Sequence, residues 1–257
     1  PTLACRREPV ARLPETSPSN RWTDSDGISI MRPVEFTPFT AKDFDAYLPN
    51  KWQSNVFNLE RLQVKQKLEA LGRFLAPSLH AADGSPLACE VSTDHPALWN
   101  QRTVREQHLF FSRNEQARRE LSGIISRQRT MAALIEDPSP LRNHLFLSVR
   151  LDHQRLELGL KVHHDASVDR ENLQRKCQEY FAREKLLTLI KGLPAGVTLQ
   201  LGKDDGVPTA EVDDQTLVRH IEGVDGPEAW FSLTQQLNRD DDRVGSEEIA
   251  ELIRESL

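Results

Sequence analysis

The chain has 257 residues, 38% of them hydrophobic and 28% charged, with a net charge of −6. That length holds one large domain or two small ones, and the balance is ordinary for a soluble globular protein. A net negative chain excludes whole-surface attraction to nucleic acid or anionic membrane and leaves only a local basic patch for either.

No apolar run approaches the 18 residues of a membrane span, and the first residues carry no continuous apolar stretch of signal-peptide type. Cys5, Cys89 and Cys177 are too far apart for zinc-ligand or CxxC spacing. They read as buried free thiols in a reducing compartment, and a cytoplasmic protein is expected.

Residues 1–30 are rich in Pro, Ser, Arg and Asp and show no sustained period. The expectation is a disordered tail. Met31 is a candidate start of the chain, and patterned sequence begins there. Residues 31–257 are expected to form a single α+β domain, with 195–257 as an alternative subdomain.

Thr40 is an N-cap candidate for a short helix, with Asp43 as its acidic partner three residues on. A longer helix is predicted over 55–76, where Leu59, Leu62, Val64, Leu68, Leu71 and Leu75 recur mostly at three and four. "PLACEVSTD" and "EQHLFFS" read as strands. A helical pattern covers 114–136, with Ala117, Leu121, Ile124, Gln128, Met131 and Ile135 on one face.

"HLFLSVRLDHQRLELGLKVHH" alternates on both sides of Asp152–Arg155, which predicts a β-hairpin over about 144–163. A two-residue loop at His153-Gln154 pairs Leu151 with Leu156, Val149 with Leu158, Leu147 with Leu160 and Leu145 with Val162. A one-residue slip would put half of the apolar set in water, so this register is favoured.

A helix over 169–192 follows, then strands at "GVTLQLG" and "TAEVDD". "PEAWFSLTQQL" and "SEEIAELIRESL" read as the last two helices, the second capped by Ser246. The whole predicts an α+β fold: a mostly antiparallel sheet with a central hairpin and amphipathic helices packed on it.

Three places carry candidate chemistry. The favoured register also pairs Arg150 with Glu157, a cross-strand ion pair, and His144 with His163, whose Cβ atoms would stand about 5 Å apart. Neutral imidazoles at that spacing can share a metal, with Asp165 adding an oxygen ligand. His164 points to the other face if the strand continues, so it is the weaker member. The bland reading is a polar strand end whose Asp supplies turn chemistry.

The second place is Arg-rich. Residues 99–130 hold seven arginines against three glutamates, a local +4 that leaves −10 on the remainder. Arg113, Arg118, Arg119 and Arg129 are the candidates there for gripping a protein or nucleic-acid partner. The bland reading is a solvated helix face paired with the acidic remainder of the fold. The third place, "NRDDDRVGSEEIAE", puts Asp242, Gly245 and Glu251 at EF-hand positions counted from Asp240, but Val244 fails where an oxygen ligand is needed. An acidic helix connection explains it better. Asp204-Asp205 and Asp213-Asp214 read as solvated carboxylates.

No nucleophile elbow, P-loop or HExxH is present. Two functions are therefore expected in order. The first is a non-enzymatic binding or regulatory protein acting through the Arg-bearing helix and the polar hairpin face. The second is a metal-dependent hydrolase or nuclease built on His144, His163 and Asp165, with Glu157 as base only if the hairpin face lines a cleft. No cofactor is expected, apart from a divalent metal on the second reading.

Overall fold

Period-two alternation around Asp152 builds a hairpin. In the computed structural model, which describes residues 36–97, 100–128, 143–202, 206–225 and 229–257, β3 (Phe146–Asp152) runs antiparallel to β4 (Arg155–His163). Leu151 faces Leu156, Val149 faces Leu158 and Leu147 faces Leu160, the register that puts these leucines and Val149 on one side. The loop needs no glycine because Asp152 closes it. Its Oδ1 accepts the Gln154 N–H at 2.7 Å and the Arg155 N–H at 3.0 Å.

The ladder begins only at Phe146, so the expected pairs Leu145–Val162 and His144–His163 lie outside it. The reason is a competing acceptor. The Leu145 N–H is taken by the Asp169 carboxylate at 2.7 Å rather than by β4.

Five further strands join this hairpin: β1 (Ala88–Val91), β2 (Glu106–Ser112), β5 (Val197–Leu201), β6 (Val207–Pro208) and β7 (Trp230–Asn238). They form one sheet in the order β1-β2-β3-β4-β7-β5-β6, antiparallel throughout. The fold is α+β, as the element order predicts.

β7 corrects the helix expected over 227–237. Trp230, Leu233 and Leu237 stand at helical spacing, but Phe231, Leu233 and Leu237 also fit an alternation. Pairing with β4 on one side and β5 on the other decides between the two. Gly159 admits β7 at close range, since a Cβ there would stand 2.0 Å from the Leu233 carbonyl oxygen.

The described α-helices are α1 (Ala41–Asp45), α2 (Asn58–Leu75), α3 (Glu115–Gln128), α4 (Ser167–Gln178), α5 (Tyr180–Lys191), α6 (Asp214–Glu222) and α7 (Ile249–Ser256). None is long and apolar enough to cross a membrane. The single helix expected over 169–192 is two, because Glu179 is extended (φ −79°, ψ 116°). The break re-phases the stripe: Ile190 is buried while Tyr180 and Phe181 turn to solvent. Arg183 Nη1 caps the interruption by donating to the Cys177 carbonyl at 2.9 Å.

"TAEVDD" is also not a strand. Thr209–Glu211 forms a 3₁₀ turn, and Asp213 caps α6 by accepting the Thr216 N–H at 2.7 Å. Ser246 does not cap α7; its hydroxyl donates back to the Arg243 carbonyl at 2.8 Å. Residues 1–30, Arg129, Asp204-Asp205 and the helical pattern beyond Gln128 lie outside the described residues.

Two apolar clusters share one face of the sheet. Leu109, Phe111, Val149, Leu151, Leu156 and Leu158 pack under α1, α2 and α7. Val162, Leu199 and Phe231 pack under α4, α5 and α6. In α2 it is Val64, Leu68, Leu71 and Leu75 that reach this core, while Leu59 and Leu62 remain exposed. By alternation, Glu106, His108, Phe110, Phe146, Arg150, Glu157, Lys161, His163 and Trp230 belong to the opposite, polar face.

Candidate metal centre

β4 ends at His163, and the chain turns at once into α4. The Ala166 N–H donates to the His163 carbonyl at 2.9 Å, closing a tight turn over His163–Ala166. That reversal settles the position of His164. It is no longer a strand residue aimed at the apolar side; its ring folds back beside His163, with centroids 4.6 Å apart.

Asp165 stands between the two imidazoles. Its Oδ2 lies 3.2 Å from His163 Nδ1 and its Oδ1 lies 3.1 Å from His164 Nε2. One ligand atom from each of the three residues falls within 4.8 Å of the others, the one such group among the described residues. In a tetrahedral centre with metal–nitrogen bonds near 2.0–2.1 Å, neighbouring donors stand about 3.3 Å apart. The two short separations are each near that edge but run to different Asp165 oxygens, so a single oxygen donor shares only one of them.

The protein holds the first donor firmly. His163 has no exposed surface. Its ring lies 4.3 Å from that of Trp230, its cross-strand partner on β7, and Phe146 packs edge-on against Trp230 at 5.9 Å. The Asp165 N–H points at His163 Nδ1 from 3.2 Å. The same Nδ1 faces Asp165 Oδ2, and an ion bound there would take the lone pair that this N–H contact uses. The other two donors face outward, with His164 26% and Asp165 30% exposed.

The structure therefore brings His163 and Asp165 together, as the sequence suggests, but adds His164 and leaves His144 out. His144 is buried beside the Arg113–Asp169 ion pair. Burial, and then the neighbouring Arg113 charge, hold its pKa below the ordinary histidine value. Its Nδ1 has no hydrogen-bond partner among the described residues.

The arginines are placed as follows. Arg113 grips Asp169 with both guanidinium nitrogens, Nη1–Oδ2 at 2.5 Å. Arg118 is bonded to Glu90 and Arg119 to Glu115. On the polar sheet face Arg150 and Glu157 do pair, at 3.5 Å, inside a larger network. Arg150 also meets Asp152 at 2.6 Å and Glu106 at 3.0 Å, and Lys161 meets Glu157 at 2.5 Å. Burial pushes the Glu157 carboxyl up, but Lys161 and Arg150 outweigh it and hold the pKa below the usual carboxylate range. Such a group is a weak base.

Sequence reasoning missed Trp230, because β7 reads as a helix. Continuing the strand past His163 undervalues His164, because the chain turns at Ala166 instead. "DAS" before a charged helix was the available signal, since Asp and Ser favour turns and helix starts. No family model matches this chain, and no curated protein matches it.

Proposed function

We propose that the chain binds a divalent transition-metal ion through His163, His164 and Asp165, as a binding protein rather than a catalyst. The convergence of those three donors carries the reading. Two nitrogens and one carboxylate oxygen suit zinc, cobalt, nickel or copper better than magnesium or calcium, which prefer oxygen ligands throughout. A cytoplasmic, reducing setting belongs to the same reading and is supported by the free thiols of Cys89 and Cys177, although only Cys177 is buried as expected and Cys89 is exposed.

Two other readings have less support. A protein or nucleic-acid partner gripped by the Arg-bearing helix would have to displace Asp169 from Arg113 and Glu90 from Arg118. A hydrolase needs a base beside the metal, and Glu157 is engaged by Lys161, Arg150 and Gln236.

The test is metal content and affinity of tag-free protein beside His164→Ala, Asp165→Asn and His144→Ala. Both outward donors are partly exposed, so their variants are expected to fold. One equivalent of zinc should survive dialysis in the wild type and in His144→Ala. His164→Ala and Asp165→Asn should each weaken affinity by more than about 100-fold, since losing only an outer-shell partner costs 10–100-fold. Equal binding by all four proteins, or by none, would overturn the reading.

A further inference from the structure

We infer that the ion at His163, His164 and Asp165 takes a small anion, a carboxylate or phosphate, as its remaining ligand, so that the centre is an anion receptor and not a closed structural site. This rests on the metal-binding reading above.

The donor count comes first. The ligand group closes at three among the described residues, whereas a zinc-type ion takes at least four. Asp169, one turn along α4, is the next carboxylate in line. Both its oxygens are occupied, by the Arg113 guanidinium and by the Leu145 N–H. It stays with them and does not complete the shell.

Direction comes second. His163 is sealed beneath Trp230, while His164 and Asp165 are the partly exposed members. The open corner therefore faces solvent, within reach of a soluble ligand.

Charge comes third. A divalent ion with two neutral imidazoles and one carboxylate keeps a net +1. One neighbour adds to it. The 12-residue helix α4 begins at Ser167 and turns its positive end toward the same turn. Water alone leaves that charge standing; an anion neutralises it.

The experiment loads the full chain with cobalt(II), whose visible spectrum reports coordination number and ligand type. Acetate and inorganic phosphate are then titrated separately, with salt held constant by perchlorate. The expected result is a saturable spectral change with one or both anions. Cobalt affinity should rise by about tenfold when the anion is present, because the coupling is reciprocal. Acetate alone would assign a carboxylate ligand, and phosphate alone a phosphate ligand. Cobalt bound one-to-one with a spectrum indifferent to both anions would overturn this inference and leave metal binding in place. No cobalt bound at all, or binding that survives His164→Ala and Asp165→Asn, would overturn both.

Discussion

Arg150 shows what single residues contribute on the polar sheet face. One guanidinium meets Glu106, Asp152 and Glu157 at once. Burial raises the Glu106 carboxyl, but the His108 hydrogen bond, and then the charges of His108, Arg150 and Lys161, outweigh it and bring its pKa from 4.5 down to about 2. A depressed carboxylate pKa stabilises the fold above its unfolded value and loses that contribution as pH falls through the folded one. Arg150→Met should therefore cost about 2 kcal/mol at neutral pH, discounted because Glu106 is 40% exposed. The gap between wild type and variant should close as pH falls from 4.5 toward 2, as urea unfolding at stepped pH would show. A gap independent of pH would mean that Arg150 acts through packing alone. The Arg150–Glu157 pair was legible from alternation, since a register fixes who stands opposite whom. Glu106 was not, because it reaches Arg150 from β2, and strand order is invisible to local pattern.

At the scale of elements, the hairpin depends on a side chain where a glycine is usual. Asp152 Oδ1 accepts two loop N–H groups while Oδ2 receives Arg150. Asp152→Asn keeps the acceptor and loses the ion pair; Asp152→Ala loses both. The alanine variant should be less stable than the asparagine variant by about 2 kcal/mol, two net hydrogen-bond contributions, in paired denaturation curves. Equal stabilities would mean that the register, not the aspartate, holds the loop. Local alternation made this hairpin, β2 and β5 readable in advance. It failed where two periods coexist. The residues of β7 satisfy a helical spacing as well as an alternating one, and only β4 and β5 on either side select the strand. It failed again at Glu179, where one extended residue splits a helix so that Ile190 meets the core. Those outcomes are tertiary, and no window of a dozen residues contains them.

Across the whole molecule, the candidate centre lies where β4, β7 and α4 meet. "HHD" was legible as a set of donors, but its geometry was not. The turn at Ala166 and the Trp230 cover depend on partners 3 and 67 residues away from His163. Three consecutive donors can also bind metal in an unfolded chain, and binding to that state weakens any gain in stability. If the fold organises the site, native affinity must exceed that local affinity. Zinc at about 100 times its Kd then adds at most about 2.7 kcal/mol. For a chain of this size that raises Tm by roughly 5–10 °C. His164→Ala should show no shift. Trp230→Ala is the sharper control, because it keeps all three donors and removes the ring that fixes His163. Its own Tm will be lower without metal, but the zinc-induced shift is the quantity compared. A smaller shift than wild type would mean that β7 presents the first ligand to the ion. An undiminished shift would mean that the three residues act as a local chelate and that the sheet merely carries them.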